Sequence, residues 1–186
     1  RDSKAPVLWE QLSGIMKNGE SILIETPYII CNNGMYETLA GFCEGGRRVQ
    51  IMTNAIESGA NPFGCTDYLN EKKNILATGS EVFEVSCGQS LHTKTILVDD
   101  HISMIGSYNL DLRSTYLDTE LMLVIDCPEL NQCLRENASV KAEQSRHVLP
   151  DGTENEGPDF QGEMPFYKKA GYFLLRLLTG LFRYLL

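Results

Sequence analysis

His92-Thr-Lys94-Thr-Ile96-Leu-Val98-Asp99-Asp-His101-Ile-Ser-Met-Ile105-Gly-Ser107-Tyr-Asn109 is the stretch on which the reading of the chain turns. Side chains alternate faces along a strand, so His92 and Lys94 share one surface, Ile96 and Val98 continue that row, and Leu97 takes the other. Asp99-Asp100-His101 interrupts the apolar run and Ile102 to Ile105 resumes it, the pattern of a hairpin that turns near the aspartates. The returning strand ends in Gly106-Ser107-Tyr108-Asn109, where Ser107 and Asn109 again lie two apart. An imidazole, an ammonium, a hydroxyl and an amide can therefore converge. That set suits a phosphate ester, with His92 as nucleophile or proton carrier, Lys94 as point charge, and Ser107 and Asn109 as neutral donors to phosphoryl oxygens.

Outward from this hairpin the chain alternates helix and strand. Pro6 can open a helix whose Leu8, Leu12, Ile15 and Met16 share a face, ending at Asn18-Gly19. Ser21 to Glu25 reads as a strand closed by Pro27, Met35 to Cys43 as a helix after an Asn33-Gly34 turn, and Val49 to Thr53 as the next strand. Strand, helix, strand in succession implies a parallel crossover. Asn54 to Thr66 reads as a long loop, a lid or rim, with Thr66 or Asp67 capping a helix to about Ala77. Glu81 to Val85 is a strand, Leu110 to Asp118 an irregular excursion, Glu120 to Asp126 a strand apolar enough to be central, and Pro128 to Gln144 a helix. The expected fold class is α/β, a mixed sheet with helices on both faces.

Composition bounds the rest. With 186 residues and 42% hydrophobic content the chain suits one globular domain, expected over 1–147. It begins with Arg1, and a piece of a longer protein is the expectation. The net charge is −9, and residues 1–150 hold −8 of it. Duplex binding calls for a basic face, so a nuclease is disfavoured by this balance. Six cysteines form no Cys-x-x-Cys pair and read as small buried hydrophobes in a reducing compartment. Residues 148–166, acidic and rich in Gly and Pro, read as a flexible linker. Residues 167–186 read as a basic amphipathic helix: Lys169, Arg176 and Arg183 recur every seventh position among leucines and aromatics. The charges are spaced too closely for a spanning helix, so the helix either lies in a lipid headgroup region or docks on protein.

His92-x-Lys94, Asp99 and Gly106-Ser107-x-Asn109 at these spacings resemble the HxKx4Dx6GSxN signature of the phospholipase D superfamily. Leu110-Asp111-Leu112-Arg113-Ser114, Thr119-Glu120 and Ile24-Glu25-Thr26-Pro27-Tyr28 are similar to the bacterial cardiolipin synthase branch, and the likeness to its C-terminal catalytic half covers roughly residues 5 to 135. Asp118 departs from that pattern, which commonly has Asn there. The resemblance implies His92, Lys94, Asp99 and Glu120 as catalytic residues, with Glu120 to orient the His92 ring, whereas the odd offset of Asp99 from Lys94 and its turn position suit it to hold the hairpin. It makes Lys94, Ser107 and Asn109 the phosphate-binding set and Tyr28 and Arg113 candidates for the pocket wall. The superfamily's site uses two such signatures and this chain has one, so a second half is implied, from a longer chain or from a homodimer copy.

The implied chemistry is double displacement through a phosphohistidine, with no metal and no cofactor. The expected function is phosphatidyl transfer or hydrolysis on a phospholipid. A homodimeric phosphodiesterase or nuclease and a catalytically incomplete interaction half are the alternatives. The expected place is the cytoplasm, peripherally on the inner face of the cell membrane through residues 167–186.

Overall fold

The computed structural model describes residues 4–183. Helix α1 (Val7–Met16) turns Trp9, Leu12 and Met16 inward. The chain then enters β1 (Ser21–Glu25) through Gly19, where a Cβ would collide with Val98 Cγ1. Helix α2 (Asn33–Glu44) follows, then β2 (Arg48–Asn54), α3 (Pro62–Ala77) and β3 (Glu81–Val85). The hairpin is β4 (Thr95–Val98) and β5 (Ile102–Gly106). After the short α4 (Leu112–Tyr116) come β6 (Met122–Asp126), α5 (Pro128–Glu143), β7 (Ser145–Val148), β8 (Glu154–Glu156) and α6 (Phe166–Phe182).

The strands form one sheet in the order β6-β5-β4-β1-β2-β3-β7-β8. β1, β2 and β3 run parallel, joined by the α2 and α3 crossovers, and every other pairing is antiparallel. The mixed sheet expected from the sequence is the sheet observed. Ile22 and Ile24 point to a core built with α1, α2 and α3, whereas Leu23 points to a second core with Leu134, Ala138 and Ala142 of α5. Both faces of the central strands are thus buried, which is why their sequences are nearly all apolar.

Several local expectations change. Asn33-Gly34 begins α2 instead of turning before it, because Asn32 accepts a hydrogen bond from Met35 N and serves as the cap. Asn61 caps α3 and Pro62 opens it, so the loop after β2 is shorter than its composition suggests, and Thr66 and Asp67 are buried inside the helix. β6 lies at the sheet edge, not its centre: Leu121, Leu123 and Val124 are exposed. Residues 148–166 are tied down by more than a linker's bonds. Glu154 to Glu156 pair with β7, and Ser86 exchanges hydrogen bonds with the backbone of Gln161. Of the cysteines, Cys31 and Cys65 are buried while Cys133 is exposed, and all six are free thiols.

The β3–β7 side carries a buried polar seam. Glu84 accepts from Tyr68 Oη at 2.6 Å, pairs with Lys72 at 2.7 Å and with Arg146 at 2.8 Å, and Arg146 also reaches Glu57 at 2.8 Å. Glu57 belongs to the loop after β2, so this network fixes that loop to the sheet. On the other face Lys141 pairs with the buried Glu25 at 2.6 Å.

Candidate active site

His92 and Lys94 precede β4, whose first residue Thr95 lies between Glu25 of β1 and Ile105 of β5. Gly106 N donates to Lys94 O at 3.2 Å, which brings the Gly106-Ser107 segment beside Lys94. The His92 side is positioned by Asn54 at the end of β2. Its buried amide donates to Pro27 O at 2.8 Å and Leu91 O at 2.9 Å, and its oxygen accepts from Leu91 N at 2.6 Å. Two of these bonds set the backbone at Leu91, immediately before His92, and the third ties it to Pro27. The ring itself is exposed.

Lys94 Nζ donates to His92 O at 3.0 Å and lies 3.3 Å from each ring nitrogen. One ammonium equidistant from both nitrogens cannot align with both in-plane directions, so the ring meets a charge more than a directed bond. Partial burial lowers the Lys94 pKa below the ordinary lysine value, and the carboxylates of Asp111 and Glu120 oppose that shift.

Asn109 sits at the other side of the group. Its backbone N–H donates to Ser114 Oγ at 3.2 Å, and its Nδ2 stands 3.4 Å from the same oxygen and 3.5 Å from Tyr28 Oη. Ser114 Oγ in turn donates to Glu120 Oε1 at 3.0 Å. Glu120 therefore reaches Asn109 through Ser114, and this bond replaces the expected one to His92. Asp111 caps α4 by accepting from Ser114 N at 2.6 Å, and burial raises its pKa while Ser114 and Asn109 hold it back. Asn109 Oδ1 is buried with no partner among the described residues.

The remaining expected residues separate. Ser107 Oγ accepts from Leu121 N at 3.0 Å and Ser107 N donates to Leu121 O at 3.0 Å, so this residue staples the end of β5 to the approach to β6. Asp99 is at the opposite end of β4 from His92. With φ of 49° it turns the hairpin, its Oδ1 accepts from Glu20 N and Ser21 N at 2.9 Å each, and its carbonyl receives the Arg135 guanidinium. A carboxylate so placed holds β1 and the turn and does not face the site. Arg113 is exposed and pairs with Asp118 at 2.7 Å, so Asp118, the residue that departs from the family pattern, occupies the Arg113 charge.

Tyr28 lines a cleft of ≈ 220 Å³ with Pro27, Asn54, Asn61, Ser90 and His92. Burial raises the Tyr28 pKa, helped by Asp111 and opposed by Asn61, so the phenol is a neutral donor at neutral pH. Asn54, Ser114 and Thr26 carry structural work that sequence reasoning did not assign to them. Thr26 Oγ1 accepts from Leu110 N at 3.1 Å and so joins the end of β1 to the Asn109 segment. The usable signal was position: Asn54 ends a strand beside the site and Ser114 lies within the run quoted after Asn109. Among the described residues no group of three His, Cys, Asp or Glu side chains is arranged to hold a metal ion.

The model of the family described as cardiolipin synthase, PLD-like domain, where PLD is phospholipase D, matches residues 12–139. The chain belongs to this family. Among curated relatives of this phospholipase D-like chain, cardiolipin synthase A of Buchnera aphidicola is 32% identical over 116 residues, 62% of this chain and 23% of the relative. Cardiolipin synthase A of Erwinia tasmaniensis is 30% identical over the same shares. The chain thus spans about a quarter of the length of these relatives. Two solved structures show the same fold. Nuc of Salmonella typhimurium, a phospholipase D family member, aligns with TM-score 0.64 at 20% identity, over 76% of this chain and 90% of Nuc. Phosphatidylserine synthase of Haemophilus influenzae aligns with TM-score 0.68 at 17% identity, over 97% of this phospholipase D-like chain and 45% of the synthase.

Proposed function

We propose that this chain supplies one wall of a phosphatidyl-transfer or phosphatidyl-hydrolysis site, facing a second phospholipase D-like half that carries its own histidine. The observation that carries this reading is that His92 and Tyr28 line a small cleft on the family's fold, with the Lys94 ammonium 3.3 Å from the His92 ring and the Asn109 amide 3.5 Å from Tyr28 Oη. The group offers one imidazole, whereas displacement at a phosphodiester with retention of a covalent intermediate needs a nucleophile and a separate proton carrier.

A ring nitrogen of one histidine attacks phosphorus, the P–O bond to the leaving alcohol breaks, and the opposite histidine donates the proton that alcohol takes. An incoming alcohol or water gives its proton back to that second histidine and attacks phosphorus, breaking the P–N bond. Lys94 and the Asn109 amide stabilise the phosphoryl oxygens throughout. Exposed Leu121 and Leu123, adjoining Ser107 at the open sheet edge, supply an apolar surface beside the site against which a second half can close. Peripheral attachment to the membrane through residues 167–186 is part of the same reading, and none of the described helices is long and apolar enough to span a bilayer.

The test is turnover of phosphatidylglycerol vesicles and, separately, of single-stranded and duplex DNA, by the chain alone and combined with a second His-x-Lys half. Lipid turnover that needs the second half is expected. Robust DNA cleavage without lipid turnover contradicts the reading, and so does a combined enzyme that turns over neither.

A further inference from the structure

Helix α6 is amphipathic in the reverse sense to a helix that packs an apolar stripe on its domain. Its inward positions are polar. Lys168 Nζ donates to Glu57 O at 2.7 Å, Arg176 Nε to Asn70 Oδ1 at 2.8 Å, and Arg183 Nε pairs with the buried Asp67 at 2.9 Å. Thr179 is buried against Asn70, and the Tyr172 hydroxyl meets the Cys65 thiol. Three of the four bases that the sequence sets along this helix are therefore engaged with α3 or the loop before it. The opposite face carries Phe166, Tyr167, Phe173, Leu174, Leu177 and Leu178, each more than half exposed, the least at 52% and the most at 84%. A contiguous apolar face of this size on a surface helix marks an interaction site.

We propose that α6 lies on a lipid surface through this outward apolar face while Lys168, Arg176 and Arg183 stay bonded to α3 and the loop before it, so that attachment is hydrophobic and the docked helix holds the His92 cleft at the bilayer. This rests on the phosphatidyl reading of the cleft and deepens it. Charge and position select lipid as the occupant. From Met164 to Arg183 there is no acid in a chain of net charge −9, and Lys169 remains exposed at the margin of the apolar face, suited to phosphate headgroups. Phe166 and Tyr167 stand at the helix start, where aromatic rings suit the interfacial layer. The inward contacts end on the cleft: Cys65 lines it, and Glu57 lies in the loop that also contributes Gly59, Ala60 and Asn61. Seating α6 in the interface therefore orients that rim toward lipid.

Flotation with phosphatidylcholine vesicles, with and without phosphatidylglycerol, at low and high salt, tests the proposal without any need for turnover. Wild-type chain should bind both vesicles, and high salt should change binding by less than about threefold, because apolar insertion is not screened. The exposed double variant Phe173→Ser/Leu177→Ser should keep the wild-type melting temperature and lose about tenfold or more in vesicle affinity. Emission of a Phe173→Trp variant should shift to the blue on vesicle addition, whereas a Val140→Trp variant on α5 should not. Absence of wild-type binding, binding confined to anionic vesicles and abolished by salt, or unchanged binding by the double variant would each overturn it. Loss of self-association in the double variant, with no vesicle binding by wild type, would instead make a second copy the occupant. Hydrolysis of a water-soluble phosphodiester by the combined enzyme separates the two readings: it should survive the double variant, and its loss on His92→Ala alone speaks to the cleft.

Discussion

The two edges of the sheet are finished in opposite ways. At the β7–β8 edge, Glu57, Glu84, Lys72 and Arg146 form a buried ionic seam, Tyr68 adds a short bond to it, and α6 is pinned alongside α3. At the β6 edge no such seam forms among the described residues, and Leu121, Leu123 and Val124 face outward next to Ser107. One edge spends charged groups to lock a rim loop in place, and buried charges of that kind are costly if left unpaired. The other leaves apolar area beside the site uncovered, as expected for a wall that meets another wall. Rigidity and incompleteness thus border the same cleft from opposite sides.

Substitutions at the two edges should separate sharply. Arg146→Ala strands the Glu57 carboxylate and leaves Glu84 with Lys72 and Tyr68 alone, and should cost about 3–5 kcal/mol, whereas Leu123→Ser in the chain alone should change stability by no more than about 0.5 kcal/mol. Thermal and denaturant unfolding check this, and comparable losses at both positions would erase the contrast. Next in size, Asn54→Ala removes three bonds to the backbone around His92 and should destabilise the chain by about 1–3 kcal/mol. Because that amide sets the approach to His92, turnover by the combined enzyme should fall further than the population of folded protein does.

Smaller effects should distinguish the two sides of the site. Ser114→Ala cuts the link between Glu120 and Asn109 and should lower turnover about tenfold with little change in stability, and Glu120→Gln should add little on top of it. Independent, additive losses would return Glu120 to a role at His92. The pH profile supplies the finest discrimination. The folded Lys94 pKa lies below the ordinary lysine value, so its ammonium is lost at lower pH than in a free lysine and the alkaline limb of turnover should fall below that value. Glu120→Gln removes a carboxylate that holds the pKa up and should move the limb to still lower pH. A limb that moves upward contradicts the assignment.

Much of the fold was legible because its signals are local. The apolar run of Ile22 to Ile24, alternation in Val49 to Thr53, the glycine and proline stops, and the aspartate turn of the hairpin mark elements without tertiary information. The β6 edge was misplaced because an apolar strand reads as central whether its exposed side chains await a partner or not. The site residues His92, Lys94 and Asn109 came from motif spacing, and the fold brings them to one end of the hairpin. The Glu120 contact did not, since a capped five-residue helix puts Ser114 between Glu120 and Asn109, and spacing along the chain does not encode that interposition. Arg183 likewise reads as a surface base in a seven-residue repeat, and only the burial of Asp67 within α3 explains why it turns inward.

The most direct test of the phosphatidyl site is the turnover of phosphatidylglycerol vesicles by wild type and His92→Ala, each combined with the same second half. A loss of about a thousandfold or more with an unchanged melting temperature is expected if His92 is the nucleophile or the proton carrier. Near-normal lipid turnover by the folded His92→Ala enzyme would contradict it.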